Sequence, residues 1–578
     1  MDPKDIRRRF EALAAARRGW EAHWQEIAER VLPRQADFVG SRTPGAKRSD
    51  KIFDSTAPLA LERFAAAMES MLTPRGQRWH RLRVADEELD RRPAVRTWLE
   101  AVERALFAAR YLPRANYASQ QHEVYMALGA FGTGALFVGE DPATAEGGGG
   151  LRYRAIHLGE LYVAEDAFGR IDTVFRKFAL SPRQAVQAYG RAALPEAMRR
   201  RADDEAGAKV DLLHAVFPRR DRDPAREGWR HMPYAAVTMT LEGDHILREG
   251  GFRTMPYLVG RYVTAPGEVY GRSPAMAVLP DIKMLNEAAK TIIRAAHRQV
   301  DPPILVHDDG ALGRFSVLPN AINVGAVSKD GRPLAIPFNA GARVDIGLDM
   351  LERWRGTIND AFLVTLFQVL TEAPNMTATE ALIRLQEKGQ MIAPAVGRQQ
   401  TELLGPMIAR EIDILSRRGA LPPAPPAVAE AEIAIVYDSP LMRAQRAEDM
   451  TGLARAMETI APFLRARPEL IEAFDVDAVA ELALEAHGVP QRVLKRPEAR
   501  AAAQAAGVVP DPQVPAAPAA AQGTAAAQGT ALGQALGQAL AGAAMPGAAP
   551  PPVPAATAAV ARQVQSAMTG GTHVADPK

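Results

Sequence analysis

The sequence predicts an α+β protein, mainly helical, on three observations. Apolar residues recur at helical spacing through most of the first 130 positions and again after Ser273. Between Gly129 and Val263 they fall instead into short runs separated by turn residues, as antiparallel strands do. From 501 onward the chain is built of Ala, Gly, Gln and Pro, with no Phe, Trp or Tyr and little bulk to bury, which predicts disorder.

In chain order, Ile6, Phe10, Leu13, Trp20, Trp24, Ile27 and Val31 predict a helix over 4–31, ended by Pro33. Residues 34–51 are polar and basic, with Pro44-Gly45 as a turn signal. Further helices are predicted over 57–72, 92–111 and 115–128. Strand candidates follow at Ala135–Val138, Leu151–Ile156, through Val174, Phe175 and Phe178, and at Leu212–Phe217, Tyr234–Leu241 and Tyr257–Val263, with helical pieces near 182–206. Ser273-Pro274 is a helix start, the serine as cap and the proline in the first turn, and the stripe after it runs to Val300. A second helix from Asp345 to Leu370 carries Leu351, Trp354, Ile358 and Phe362 on its packed side. Between them lie strand candidates at Ile304–Val306, Ile322–Val327 and Leu334–Ile336, so the pattern is a helical hairpin with a β cap.

Residues 371–376 read as a loop, and Thr377 with Glu380 fits a capping box. Apolar positions from Ala378 to Ile414 then predict one helix over 378–416, about 60 Å long at 1.5 Å per residue. It cannot be straight: Pro394 and Pro406 each remove an amide donor, and Gly389 and Gly397 loosen it. Pro422, Pro423, Pro425 and Pro426 make a stiff connector to a strand at Ile433–Tyr437, and 440–488 return to helix.

The chain has 578 residues, enough for several cores, and its 70 Lys+Arg against 68 Asp+Glu leave a formal charge of +2. A protein gripping nucleic acid over a broad face carries a larger basic excess, so any DNA contact is expected to be local or weak. There is no cysteine, hence no disulfide or thiolate metal site, which fits a reducing cytoplasm. Without a signal-peptide apolar region or a run of about 18 apolar residues, the chain reads as soluble and cytoplasmic, with no membrane contact.

No catalytic, metal or cofactor motif stands out. The run Gly129-Ala130-Phe131-Gly132-Thr133-Gly134 precedes a strand candidate instead of joining a strand to a helix, so it lacks the context that cradles phosphate. No P-loop is present, and His231 and His245 lack the spacing of a helical metal pair. Asp308-Asp309 before Gly310 reads as a turn, and no serine sits in a nucleophile elbow. The expectation is a protein that is not an enzyme and needs no cofactor.

Met376-Thr377-Ala378-Thr379-Glu380, followed by Arg384, Glu387 and Gly405-Pro406-Met407-Ile408, resembles the portal (head-to-tail connector) proteins of short-tailed, podovirus-type bacteriophages. Tyr270-Gly271-Arg272-Ser273-Pro274, Leu285-Asn286-Glu287 and Ser439-Pro440-Leu441 with Ala444-Gln445-Arg446 agree with it. So do Trp20, Trp24 and Pro33, then Ile52-Phe53-Asp54-Ser55-Thr56, Leu72-Thr73-Pro74 and Arg78-Trp79. Together these cover about residues 10–450 in the family's order.

The resemblance implies a subunit divided into a wing (1–272), a first stem helix (273–303), a clip (304–343) and a second stem helix (344–370). A tunnel loop with the long helix (371–420), a connector and wing strand (421–438), crown helices (439–500) and the disordered tail (501–578) complete it. It further implies a homo-oligomeric ring of about a dozen copies at one capsid vertex, a virion component assembled in the host cytoplasm. Double-stranded DNA would pass without sequence specificity, and the large terminase, tail adaptor, major capsid and scaffolding proteins would be partners. In the family's order Glu372, Ala373, Pro374, Asn375 and Met376 become the loop that meets DNA, with no Lys or Arg to hold it. A non-catalytic cytoplasmic scaffold or adaptor of helical hairpins, without a DNA channel, is the alternative from the residues alone.

Overall fold

The computed structural model describes residues 2–40, 45–141, 150–203, 209–306, most of 316–338, then 344–364, 393–428, 431–438 and isolated positions between 452 and 459. These lie within the unit Met1–Arg496. The expectations of helix across 440–488 and disorder beyond 501 fall outside the described residues, apart from helical positions at 452, 455, 456 and 459.

Helix α1 (Pro3–Val31) starts where predicted, with the Asp2 carboxylate accepting the Lys4 amide and a proline in its first turn. Helix α2 (Thr56–Leu72) follows, then strand β1 (His80–Val84), helix α3 (Pro93–Arg110) and helix α4 (Tyr117–Phe131). Trp24, Leu61, Phe64, Leu106 and Phe131, none exposed by more than 1%, show that these helices share one core. β1 has no counterpart in the sequence reading. It is a five-residue strand paired antiparallel with β12 (Ile433–Tyr437), His80 against Tyr437 and Val84 against Ile433.

Helix α4 ends at Gly132, whose φ of +73° is a left-handed cap. Gly132 also crosses Gly271 so closely that a Cβ on either would strike the other's backbone carbonyl. The glycine-rich run is therefore a packing crossover from helix into strand β2 (Thr133–Glu140).

β2 lies between β3 (Leu151–Ile156) and β9 (Tyr257–Arg261) in a three-stranded sheet. A five-stranded antiparallel sheet is formed in order by β4 (Leu161–Glu165), β5 (Ile171–Leu180), β6 (Val210–Pro218), β7 (Tyr234–Thr240) and β8 (Ile246–Phe252). β4 and β8 are additions to the predicted set. β8 escapes the pattern because two glycines and two charges occupy its seven residues. One sheet face, with Phe175, Leu213, Ala215, Val237 and Met239, packs on Ile6 and Phe10 of α1. Arg17 of α1, 2% exposed, donates to the carbonyls of Leu158, Gly159 and Leu161 at 2.7–3.0 Å and locks the helix to the start of β4. Helices α5 (Pro182–Tyr189) and α6 (Glu196–Asp203) cover part of the other face.

The predicted helix after Ser273 is split. Residues Pro274–Ala277 make one turn, capped by Ser273 Oγ at the Met276 amide, and α7 (Leu279–Val300) begins beyond Val278. Pro280 has no amide to continue the first turn, which explains the break. β10 (Ile304–Val306) and β11 (Ala335–Pro337) pair antiparallel, and α8 (Val344–Ala361) returns alongside α7. The candidate Ile322–Val327 is not a strand: Val327 makes an isolated bridge to Pro333, while Ile322 and Val324 are 90% and 86% exposed. The helix expected to reach Leu370 is broken after Ala361; Val364 is helical again, and 365–370 lie outside the described residues. Phe362 turns into the core against Phe64, ring centroids 6.3 Å apart, and Leu363 takes a φ of 59°.

Candidate functional site: the framework flanking residues 365–392

The tunnel-loop residues Glu372, Ala373, Pro374, Asn375 and Met376, with Thr377, Glu380 and Gly389, lie outside the described residues. What is described on either side is a set of polar anchors.

On the amino-terminal side, Asn286 of α7 is 4% exposed, and its Oδ1 accepts the amides of Phe53 and Asp54 at 2.7 and 3.1 Å. Its Nδ2 donates to the Ile282 carbonyl at 2.9 Å, so each side-chain polar atom is engaged. Asp54 in turn accepts the Thr56 hydroxyl and amide, and receives Arg355 of α8 through Nε at 3.0 Å and Nη2 at 2.8 Å. Burial opposes the Asp54 charge, but Thr56 and Arg355 outweigh it and hold the carboxyl below its usual range. One loop, 52–56, thus ties α7 and α8 together. Ile358 and Phe362 are fully buried and Trp354 half-buried on the same side of α8.

On the carboxyl-terminal side, residues 393–399 are helical, with Pro394 exposed. A π-helical turn at Gln400–Leu404 leads into α9 (Gly405–Arg417). Pro406 accounts for that turn: it has no amide to give, so the helix widens and the Gly405 amide reaches the Gln400 carbonyl. The Tyr437 hydroxyl donates to the same carbonyl at 2.9 Å. Gln399, with no exposed surface, donates to the Arg261 carbonyl at 2.7 Å. The Arg261 guanidinium forks onto Glu402 at 2.8 and 3.1 Å and also meets Glu165. Burial would depress this guanidinium; the two carboxylates raise it instead.

Deeper in, Arg110 of α3 meets Glu411 of α9, both side chains 0% exposed. The Tyr153 hydroxyl donates to Glu411 Oε1 at 2.5 Å, and burial together with the neighbouring carboxylate pushes that phenol's pKa up. Arg110 also lies over the rings of Trp79 and Phe107 at 4.7 and 4.8 Å. His80 Nε2 stands 3.0 Å from Arg110 Nη2 and accepts from it as a neutral ring. Burial first, then Arg110, hold the His80 pKa well below the ordinary value. This cluster joins β1, α3, β3 and α9.

The resemblance picks out Asp54, Asn286, Ser273 and Trp79, and the structure brings the first two into contact. It gives no signal for Arg355, Arg110, Glu411 or Arg261, whose roles depend on partners 96–301 residues away. Among the described residues no group of three or more His, Asp or Glu is placed to hold a metal, and no helix is long and apolar enough to cross a membrane.

The ionised groups of this framework close contacts between distant segments of one α+β fold. The family of bacteriophage head to tail connecting proteins matches residues 3–494, and the chain belongs to that family. It is 28% identical over 492 residues to the probable portal protein of Bordetella phage BPP-1, covering 84% of this chain and 87% of that protein. It is 28% identical over 491 residues to the portal protein of Salmonella phage epsilon15, covering 83% and 87%. Among solved structures it is similar to a chain of a native gene transfer agent virion, at 13% identity and a TM-score of 0.31 over 74% of this chain and 94% of that one. A chain from the neck of an empty gene transfer agent particle matches at 12% identity and a TM-score of 0.33, over 74% and 95%.

Proposed function

We propose that this chain is a portal subunit: copies close into a ring at one capsid vertex, and the genome enters and leaves through its centre. The observation that carries this is membership of the head to tail connecting family along residues 3–494, with two relatives named as portal proteins over more than four-fifths of the chain.

The hairpin of α7 and α8 supports an assembly. Around its tip Val300, Leu318, Ile322 and Val324 are 72–90% exposed, apolar surface that a neighbouring subunit would cover in a ring. In a ring of about a dozen, contacts are heterologous, one face of each subunit meeting a different face of the next. The helix pair then serves as stem, the β10–β11 unit as clip, the antiparallel sheets as wing and 439–500 as crown. The clip would receive the large terminase during filling and the tail adaptor afterwards, and the major capsid and scaffolding proteins would surround the wing. Double-stranded DNA would slide past residues 372–376, where the lack of Lys and Arg avoids phosphate contacts that add affinity and salt dependence. On this reading the Asp54–Arg355 and Arg261–Glu402 anchors hold the two ends of the tunnel segment firm.

Particles assembled without this chain should form shells that contain no genome and carry no tail, and supplying it in trans should restore both. Filled, tailed particles in its absence would overturn the reading.

A further inference from the structure

The face of the five-stranded sheet turned away from α1, covered in part by α5 and α6, carries one polar row between apolar ones. Arg176, His214, Thr238 and Arg248 stand opposite one another across β5, β6, β7 and β8, one continuous row by strand register. β3 turns Arg152 and Arg154 toward the same space, and α9 adds Arg410 and Arg417, two turns apart. The result is a cleft of about 850 Å³ between the two sheets, α5 and α9. Among the described residues its walls hold seven arginines and one carboxylate, Glu140.

Four of those arginines already have acidic partners. Arg176 pairs with Glu160 at 2.8 Å, Arg152 with Asp141 at 3.6 Å, Arg410 with Asp413 at 3.1 Å, and Arg417 with Glu140 at 2.6 Å. Among the described residues no carboxylate pairs with Arg154, Arg248 or Arg253, and all three are exposed along the cleft. Three arginines without a salt-bridge partner in one concavity focus a positive potential there, although Glu160 offsets part of it at Arg154. The neighbours register it: burial and then Arg176 and Arg248 hold the His214 imidazole down at about 3, and burial and then Arg176 lower the Arg154 guanidinium. His214 Nδ1 lies 2.6 Å from the Tyr257 hydroxyl and its ring packs with Phe137, Phe252 and Tyr257. Around His214 the floor of the cleft is aromatic, beneath a cationic rim.

We propose that this cleft binds a polyphosphate anion, either a free polyphosphate such as a nucleoside triphosphate or the backbone of a short single-stranded nucleic acid. Guanidinium forks match phosphate oxygens two at a time, and the three unpaired arginines call for a ligand with about three negative charges. The volume falls within the range of small-molecule sites, roughly 300–1,000 Å³, and is too small to admit a duplex. This site is formed by residues of one subunit, so it stands or falls independently of ring assembly.

Isothermal titration of the full chain at low ionic strength, with inorganic tripolyphosphate, a short oligothymidylate and a polyglutamate peptide as probes, tests this. Saturable binding of one phosphate probe per subunit is expected. It should weaken by about tenfold for each of Arg154→Ala and Arg248→Ala, one charge-assisted contact each. Arg154→Lys and Arg248→Lys, which keep the charge but lose the fork, should fall between. These side chains are exposed, so an unchanged melting temperature should accompany the loss. Tighter binding of tripolyphosphate assigns the free polyphosphate, and tighter binding of the oligonucleotide assigns the strand. Absence of binding, equal affinity in the variants, or polyglutamate binding as tightly as either phosphate probe would overturn the proposal.

Discussion

Arg110 and Glu411, 301 residues apart in the chain, form a two-pronged ion pair, Nε to Oε1 at 3.0 Å and Nη2 to Oε2 at 2.5 Å. Neither side chain has any exposed surface. Glu411→Ala leaves a guanidinium buried without its counter-charge, so a loss of about 3–5 kcal/mol is predicted from denaturant titration. The double replacement Arg110→Met with Glu411→Leu should recover much of it, because no charge is then left unpaired. An unchanged unfolding midpoint in Glu411→Ala would mean the pair contributes nothing.

Glu103 gives a pH dependence of defined sign. It is 5% exposed and accepts the Leu82 amide at 2.7 Å; burial dominates and raises its carboxyl to about 7. Between the unfolded value near 4.5 and 7 the folded chain holds a proton that the unfolded chain has released. Stability from this group is therefore present in acid and is lost as pH rises through that window. Glu103→Gln should remove the penalty, improving on the parent at pH 8 by up to about 3 kcal/mol relative to pH 4.5. A stability difference between variant and parent that does not change with pH would show that folding leaves the Glu103 carboxyl unshifted.

Phe362 and Trp354 differ in burial and should differ in cost. Phe362→Ala removes a ring that is 0% exposed and edge-on to Phe64, so a loss of roughly 3–5 kcal/mol is predicted. Trp354, half-buried, should lose about half as much on replacement by Ala. Thermal melts of the two variants check this, and equal losses would contradict it.

Replacing residues 372–376 by a Gly-Ser linker should leave ring formation and capsid incorporation normal while impairing DNA packaging or retention. Quantifying genome content in purified particles decides the matter. Full-length genomes at wild-type yield would remove that loop from the mechanism.

Local periodicity made the helices legible: α1, α2, α3 and α8 start within a residue or two of their predicted positions, and α7 follows its predicted stripe after the break at Pro280. It failed where the partner is remote. His80–Val84 alternates buried and exposed positions but contains two arginines, and its pairing with Ile433–Tyr437 spans about 350 residues. β8 was hidden by its glycines. The early end of α8 is tertiary, since Phe362 leaves the helix to meet Phe64. The buried charges were least legible of all. Arg110 and Glu411 each sit on an ordinary amphipathic helix, where a charge usually marks the wet face, and only their meeting makes burial tolerable.

Negative-stain electron microscopy of the purified full-length chain, with class averages viewed down the particle axis, bears most directly on the portal assignment. The account predicts closed rings of about a dozen subunits around an axial hole. Monomers, open filaments or compact particles without rotational symmetry, under conditions in which the protein is folded, would contradict it.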